Sequence, residues 1–199
     1  MSGSFAELVA ATSFSFLRGA SQPADMVARA LELGLAGVGI ADTNSVAGVV
    51  RAHVALREAQ AGARAATGRD LPFRLAVGAR LVFIDGSPDI IAYPSDRAAW
   101  GRLTRLLTLG NRRAAKGQCQ LRLDDLLDHG EGLLLIAMAD APDRPALARL
   151  AAAAPDRLWL GATMPRLGDD RRRLARLGAL ADGLGLPLIA TCDALFATP

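Results

Sequence analysis

The stretch Gly34-Leu35-Ala36-Gly37-Val38-Gly39-Ile40-Ala41-Asp42-Thr43-Asn44-Ser45 decides the fold. Residues 38–41 are a short apolar run with the composition of a buried strand, and the run ends on the carboxylate of Asp42. Asn44 or Ser45 then offers a cap for a helix reaching to about residue 60, with Val46, Val49, Val50, His53 and Val54 as its apolar stripe. Upstream, Ser21-Gln22-Pro23 opens another helix, capped by Ser21 and striped by Met26, Val27, Ala30 and Leu31, which Gly34 ends. Near the far end, residues 186–191 form a second apolar strand that stops at an aspartate, Asp193.

The same pattern fills the space between. Residues 5–11, 73–83, 89–93, 133–138 and 158–162 read as strands, the second and third joined at the turn signal Asp85-Gly86. A polar loop is expected over 62–71 and a basic one over 111–117. Helices are expected from Ser95 (with Trp100, Leu103, Leu106 and Leu107 inward) and over 121–127, 145–153 and 169–184. Strands alternating with helices predict an α/β fold with a mostly parallel sheet, open or closed into a barrel. Such sheets carry their sites at the carboxyl ends of the strands, where Asp42 and Asp193 stand.

Composition sets the limits. A chain of 199 residues, 51% hydrophobic and 22% charged, is globular and long enough for one good core, so residues 1–199 read as a single domain. Met1-Ser2-Gly3-Ser4 has neither the basic start nor the apolar run of a leader, and no apolar stretch is long enough to span a bilayer; a cytoplasmic protein with no membrane partner is expected. The net charge of +3 is compatible with a nucleic-acid enzyme without proving one. Cys119 and Cys192 lack metal-ligand spacing and read as buried thiols, with a stray pair or neither as alternatives. Gly34, Gly37 and Gly39 precede or lie within a strand and do not open a helix, which excludes a dinucleotide fingerprint; no phosphate-cradling Gly-Lys loop or serine elbow is present.

Four segments resemble motifs of PHP (polymerase and histidinol phosphatase) domains in bacterial replicative polymerases. Residues 11–21, Ala-Thr-Ser-Phe-Ser-Phe-Leu-Arg-Gly-Ala-Ser, resemble the first motif, a strand bearing His-x-His followed by Thr or Ser, an aromatic-Ser pair and Asp-Gly. Residues 34–48 resemble the second, a strand ending in Asp-His. Residues 75–81 look like the strand that brings a ligand carboxylate, and 188–195 resemble the last motif, ending in Asp-x-His. Within the family, residues 13–21 and 45–53 are similar to the error-prone branch of C-family DNA polymerases, related to the DNA polymerase III alpha subunit. The resemblance implies a distorted barrel of about seven (β/α) units, standing at the amino-terminal end of a chain of roughly a thousand residues, far above the usual size of one domain.

Active members bind a cluster of metal ions and hydrolyse phosphoesters, which needs several nitrogen and oxygen ligands in one pocket. The resemblance places Val9 and Ala11 at the two histidine positions, Arg18 at an aspartate, Thr43 at the histidine after Asp42, Arg80 at a ligand glutamate, and Leu195 at the last histidine. Asp42 and Asp193 remain as ligand-type residues, with Asp89 near another expected histidine. Apolar side chains have no lone pair to give, and Arg18 and Arg80 bring positive charge where cations should sit. They are expected instead to neutralise Asp42 and Asp193 by ion pairing, so no catalytic residue and no cofactor is expected within these residues, while the parent polymerase uses magnesium.

Other features carry blander readings beside the sharp ones. Arg112, Arg113 and Lys116 in the basic loop could touch nucleic-acid phosphates; a solvated loop or a contact to the rest of the polymerase competes with that reading. Asp124, Asp125 and Asp128 read as the polar outer face of a short helix, and His53 as a core or boundary histidine. His129, before Gly130 at a helix end, suits the helix dipole. The function expected is an accessory, non-hydrolytic domain of an error-prone DNA polymerase acting in repair and translesion synthesis. Its partners would be the remainder of the chain, DNA through the parent enzyme, and translesion accessory proteins. An active metal-dependent phosphoesterase (a 3′–5′ exonuclease or phosphatase) is the alternative, and a free-standing binding module the third reading.

Overall fold

The computed structural model describes residues 5–138 and 143–198; Met1-Ser2-Gly3-Ser4 and Pro199 lie outside them. The elements are β1 (Ala6–Ala10), α1 (Pro23–Glu32), β2 (Gly37–Thr43), α2 (Val49–Thr67), β3 (Arg74–Leu81), β4 (Asp89–Pro94), α3 (Arg97–Arg113), α4 (Leu123–His129), β5 (Leu133–Met138), α5 (Arg144–Ala153), β6 (Leu158–Ala162), α6 (Asp170–Leu184) and β7 (Leu188–Ala190). The strands follow one another in sequence order in a seven-stranded sheet. The architecture is the expected α/β one. The chain divides into two compact units, residues 1–79 with 192–199, and residues 80–191.

In the first unit β1 and β2 pair in parallel, with a register irregularity between Glu7 and Ala10. Met26, Val27 and Ala30 of α1 pack with Val38 and Ile40 of β2, Ala52 and Leu56 of α2, and Phe73. The α1 stripe is the one its 3.6-residue spacing predicts. Its cap differs: Gln22 stands before Pro23, its N–H donating to Asp25, while Ser21 Oγ accepts from Ala197 N–H at 2.9 Å. Residues 192–198 return to β1, where Ala11 N–H donates to Ala194 C=O and Ala194 N–H to Val9 C=O, both at 2.9 Å.

Helix α2 corrects the sequence reading at both ends and in phase. Asn44 has φ +47°, a left-handed conformation that no helical residue adopts, and Ser45 Oγ accepts from Ala47 N–H in a local turn. The helix therefore begins at Val49 and runs on to Thr67, through most of the expected loop, until Gly68 ends it at φ +71°. Its buried residues are Ala52 and Leu56, so Val50, His53 and Val54 face outward. Alanine's small side chain lets the helix lie close, and the valines are not the inward stripe.

In the second unit β4 and β5 are antiparallel, from Asp89 opposite Met138 to Pro94 opposite Leu133. β5–β6 and β6–β7 are parallel like β1–β2, so of these four pairs only β4–β5 departs from the parallel expectation. Helix α3 buries Ala99, Leu103, Leu106 and Leu107. Its cap is Asp96, whose carboxylate accepts from Ala99 N–H at 2.7 Å. The helix continues through Asn111, Arg112 and Arg113, placing these in its last turn and only 114–117 in the loop. Asp125 is a further correction: it is buried, not on the outer face of α4. No helix among the described residues is long and apolar enough to cross a membrane.

Candidate functional site

Asp42 and Asp193 were expected at strand ends, with Asp89 as a weaker third ligand-type residue, and the structure gives each a different set of partners. Asp42, on β2, is buried with 1% exposure. Its Oδ1 accepts from Thr12 N–H at 2.7 Å and from Ser15 O–H at 2.6 Å, and its Oδ2 accepts from Thr12 O–H at 2.8 Å. Ser15 Oγ in turn accepts from Thr43 N–H at 3.0 Å, and Thr12 Oγ1 accepts from Phe14 N–H at 3.2 Å. Thr12 and Ser15 are fully buried. Gly48 is held to glycine by this cluster, since an added Cβ would stand 2.9 Å from Asp42 Oδ2 and 3.1 Å from the Phe14 ring.

Asp193, in the segment that returns to the first unit, has φ +50° and accepts from Arg18 at 2.7 Å. A tight loop delivers that guanidinium: Arg18 N–H and Gly19 N–H both donate to Ser15 C=O. Gly19 allows the loop to fold, because a Cβ there would meet the Thr12 carbonyl oxygen at 2.3 Å. Arg18 and Asp193 side chains are 32% and 23% exposed. In the second unit Arg80, 7% exposed, donates Nε–H to Asp89 at 2.7 Å. Arg18 thus pairs with Asp193 as expected, Arg80 pairs with Asp89, and Asp42, expected to be neutralised by an arginine, takes its hydrogen bonds from neutral donors.

The remaining motif positions are occupied as the residue types dictate. Val9 and Ala11 are buried apolar side chains of the core. Thr43 ends β2. Leu195 offers its carbonyl to Ala20 N–H at 3.3 Å. Glu7 is the residue the sequence reading missed. It is 4% exposed, and its carboxylate accepts from Val9 N–H and Cys192 N–H, both at 2.7 Å. A lone acid in the apolar run Ala6-Glu7-Leu8-Val9-Ala10 was the available signal. Cys192 is exposed, which corrects the buried-thiol reading; Cys119 is half-buried. Burial pushes both thiols up, and for Cys192 the Glu7 carboxylate adds to the effect.

A hydrolytic centre needs ligands that converge with lone pairs to spare. Among the described residues no three His, Cys, Asp or Glu side chains are grouped to hold an ion. Asp42 already accepts three hydrogen bonds, and Asp193 and Asp89 each face a guanidinium. Among the described residues, the side chains at these positions do not converge as a metal cluster requires.

The basic candidates separate in the same way. Arg113 donates to Asp125 at 2.6 Å. Burial works to raise the Asp125 carboxyl, but the Arg113 hydrogen bond, the Arg122 N–H and the charges of Arg113 and His129 outweigh it and hold the group below the usual value. Arg112 and Lys116 are exposed.

Residues 7–159 match the PHP domain family model. The chain belongs to the PHP domain family. The PHP domain described here is 46% identical over 198 residues to an error-prone DNA polymerase of Brucella abortus, covering 97% of this chain and 18% of that protein. It is 48% identical over 202 residues to error-prone DNA polymerase 1 of Rhizobium meliloti, covering 98% of this chain and 17% of that protein. The chain thus spans less than a fifth of the length of these relatives. Among solved structures, a candidate metal-dependent phosphoesterase of Bifidobacterium adolescentis shares the fold at a TM-score of 0.62 with 18% identity, over 96% of this chain and 88% of that one. An amidohydrolase of Chromobacterium violaceum, with bound sulfate and no metal, shares it at 0.60 with 15% identity, over 96% and 87%.

Proposed function

We propose that residues 1–199 form one PHP domain of an error-prone DNA polymerase, that this domain supports the polymerase structurally, and that it hydrolyses nothing itself. Its parent would extend primers across damaged template with magnesium, in the cytoplasm, and its partners would be the rest of that chain, DNA through the parent, and accessory proteins of translesion synthesis. The observation that supports a non-hydrolytic role is the Asp42 cluster. A carboxylate with four acceptor sites already takes hydrogen bonds from Thr12 N–H, Thr12 O–H and Ser15 O–H, and the arginines on Asp193 and Asp89 supply the positive charge that ions would otherwise bring.

The test is metal analysis by mass spectrometry on the chain purified from cells supplied with zinc, manganese and iron, with phosphatase and 3′–5′ exonuclease assays beside it. Well under one ion per chain and no activity above buffer are expected. Two or more tightly held ions, with hydrolysis abolished by a chelator, would overturn the proposal in favour of an active phosphoesterase.

A further inference from the structure

We infer that the outer face of α3 is a binding track for the phosphate backbone of duplex nucleic acid. From Arg97 to Leu123 the chain contains no Asp or Glu, while Arg97, Arg102, Arg105, Arg112, Arg113, Lys116 and Arg122 supply cations. Two of these are tied down: Arg102 donates to the Glu131 carbonyl at 2.7 Å, and Arg113 pairs with Asp125. Arg97, Arg105, Arg112 and Lys116 are exposed.

The helix phase sets three of them in one row. With about 100° per residue, the buried Ala99, Leu103, Leu106, Leu107 and Gly110 define one side of α3, and Arg97, Arg105 and Arg112 fall within about 45° of the opposite line. Gly101 and Thr108 lie between them on that line, both exposed and both small, so a backbone can approach closely. At 1.5 Å per residue the arginines are about 12 and 10 Å apart, a row of about 22 Å, and Lys116 follows in the loop after the helix. One strand of a duplex offers a phosphate every 3.4 Å or so along its axis, so the row meets about every third one.

On the other helices among the described residues, the arginines are paired or interspersed with acids, including α6, whose Arg171, Arg172 and Arg176 are exposed. Arg29 pairs with Glu32, Arg149 with Asp124, and Arg144 donates to the Gly183 carbonyl; α2 carries Glu58 among its arginines, and α6 carries Asp170 and Asp182. A duplex is favoured over a single strand because the arginine row has no aromatic side chain on which unpaired bases would stack.

The test is fluorescence anisotropy of a labelled 30-base-pair duplex against the 199-residue chain, from 50 to 200 mM salt. Three to four phosphate contacts predict a log–log slope of about −2.7 to −3.6, so affinity should fall at least about 40-fold over that range. The triple variant R97A/R105A/R112A should bring the slope to about −1. The charge-matched control R171A/R172A/R176A, which removes three exposed arginines of α6, should bind as the parent does. Gly101→Glu is the sharpest variant. A Cβ there meets nothing within 4 Å, and glutamate is the better helix former, so Tm should hold or rise while binding weakens at least tenfold. Equal losses in the α3 and α6 variants, unchanged binding by R97A/R105A/R112A, tighter binding of oligo-dT than of duplex, or binding to phosphatidylserine vesicles but not to duplex would each overturn the inference.

Discussion

Replacing Asp42 by alanine and by asparagine separates what its hydrogen bonds do from what its charge does. Alanine strands three donors: Thr12 N–H, Thr12 O–H and Ser15 O–H, on residues that are themselves fully buried. A buried donor left without an acceptor costs about 1–3 kcal/mol, so the sum without relaxation is about 3–9 kcal/mol. The vacated carboxylate volume admits a water that can satisfy one donor, which lowers the expected loss to about 2–6 kcal/mol. Asparagine keeps Oδ1 for Thr12 N–H and Ser15 O–H. Its amide donates to Thr12 Oγ1, whose second lone pair remains while it accepts from Phe14 N–H. The Thr12 O–H then has no acceptor on residue 42 and the other bonds lose their charge assistance, together about 1–3 kcal/mol. The assay is urea unfolding followed by far-UV circular dichroism, since Trp100 and Trp159 both lie in residues 80–191 and report on the other unit. Both losses should be unchanged by EDTA. If Asp42→Ala costs under 1 kcal/mol, the cluster does not hold the fold. If Asp42→Asn is as damaging as Asp42→Ala, the charge itself is needed, and a cation must face it.

Arg18→Ala and Asp193→Ala should each cost about 1–2 kcal/mol, and the double variant less than their sum, because the partly exposed pair is charge-assisted but open to solvent; a double-mutant cycle in urea with zero coupling energy would show the contact does not stabilise the chain. Gly19→Ala should cost at least about 2 kcal/mol, since its Cβ would press on the Thr12 carbonyl at 2.3 Å and backbone must shift; a Tm within a degree of the parent would contradict the loop geometry. Asp125 supplies a pH dependence. Its carboxyl is held below the ordinary 3.8, so the folded form binds that proton less readily than the unfolded chain. The stabilisation is therefore complete above about pH 5 and is lost as pH falls through 4 toward the folded value. Arg113→Ala removes the main hydrogen-bond cause, so the Tm gap between it and the parent should be largest at neutral pH and should shrink below pH 4; a gap constant from pH 7 to 3 would refute the linkage.

The alternation of strands and helices, and the two strand-terminal aspartates, were legible because apolar runs of four to seven residues bounded by Gly, Pro or acid have few other solutions. The α1 stripe followed directly from spacing. Helix α2 did not, because its inward face is built from alanines, and alanine carries too little hydrophobic contrast to outvote Val50 and Val54 in a pattern. The pairing of Arg18 with Asp193, 175 positions apart, rested on motif positions and not on any local signal. The pairing of Arg80 with Asp89 was missed for the opposite reason. Asp89 is only nine residues away on the next strand, a simpler reach than any strand end. Glu7 and Ser15 escaped notice because their roles are acceptor and relay for backbone groups, and such roles depend on where another segment passes.

The three carboxylates show why one solution would not serve them all. Asp193 and Asp89 keep 23% and 30% exposure, so a guanidinium can meet them while both ions retain water. Asp42 keeps almost none. Bringing an arginine to it would desolvate a second ion, a penalty of several kcal/mol that the attraction between the two need not repay. Hydroxyls and an amide carry no such penalty, and each still gives a charge-assisted bond. The depth of a carboxylate thus decides whether a cation or neutral donors hold it. By the same reasoning Ser15→Ala should destabilise the chain more than Arg18→Ala does. It removes a donor to a charge that water cannot reach and orphans the Thr43 N–H as well, whereas Asp193 is 23% exposed and remains in contact with water when Arg18 is removed. Urea unfolding of the two single variants checks this, and a larger loss for Arg18→Ala would mean that ion pairing, not buried hydrogen bonding, carries the strand-end cluster.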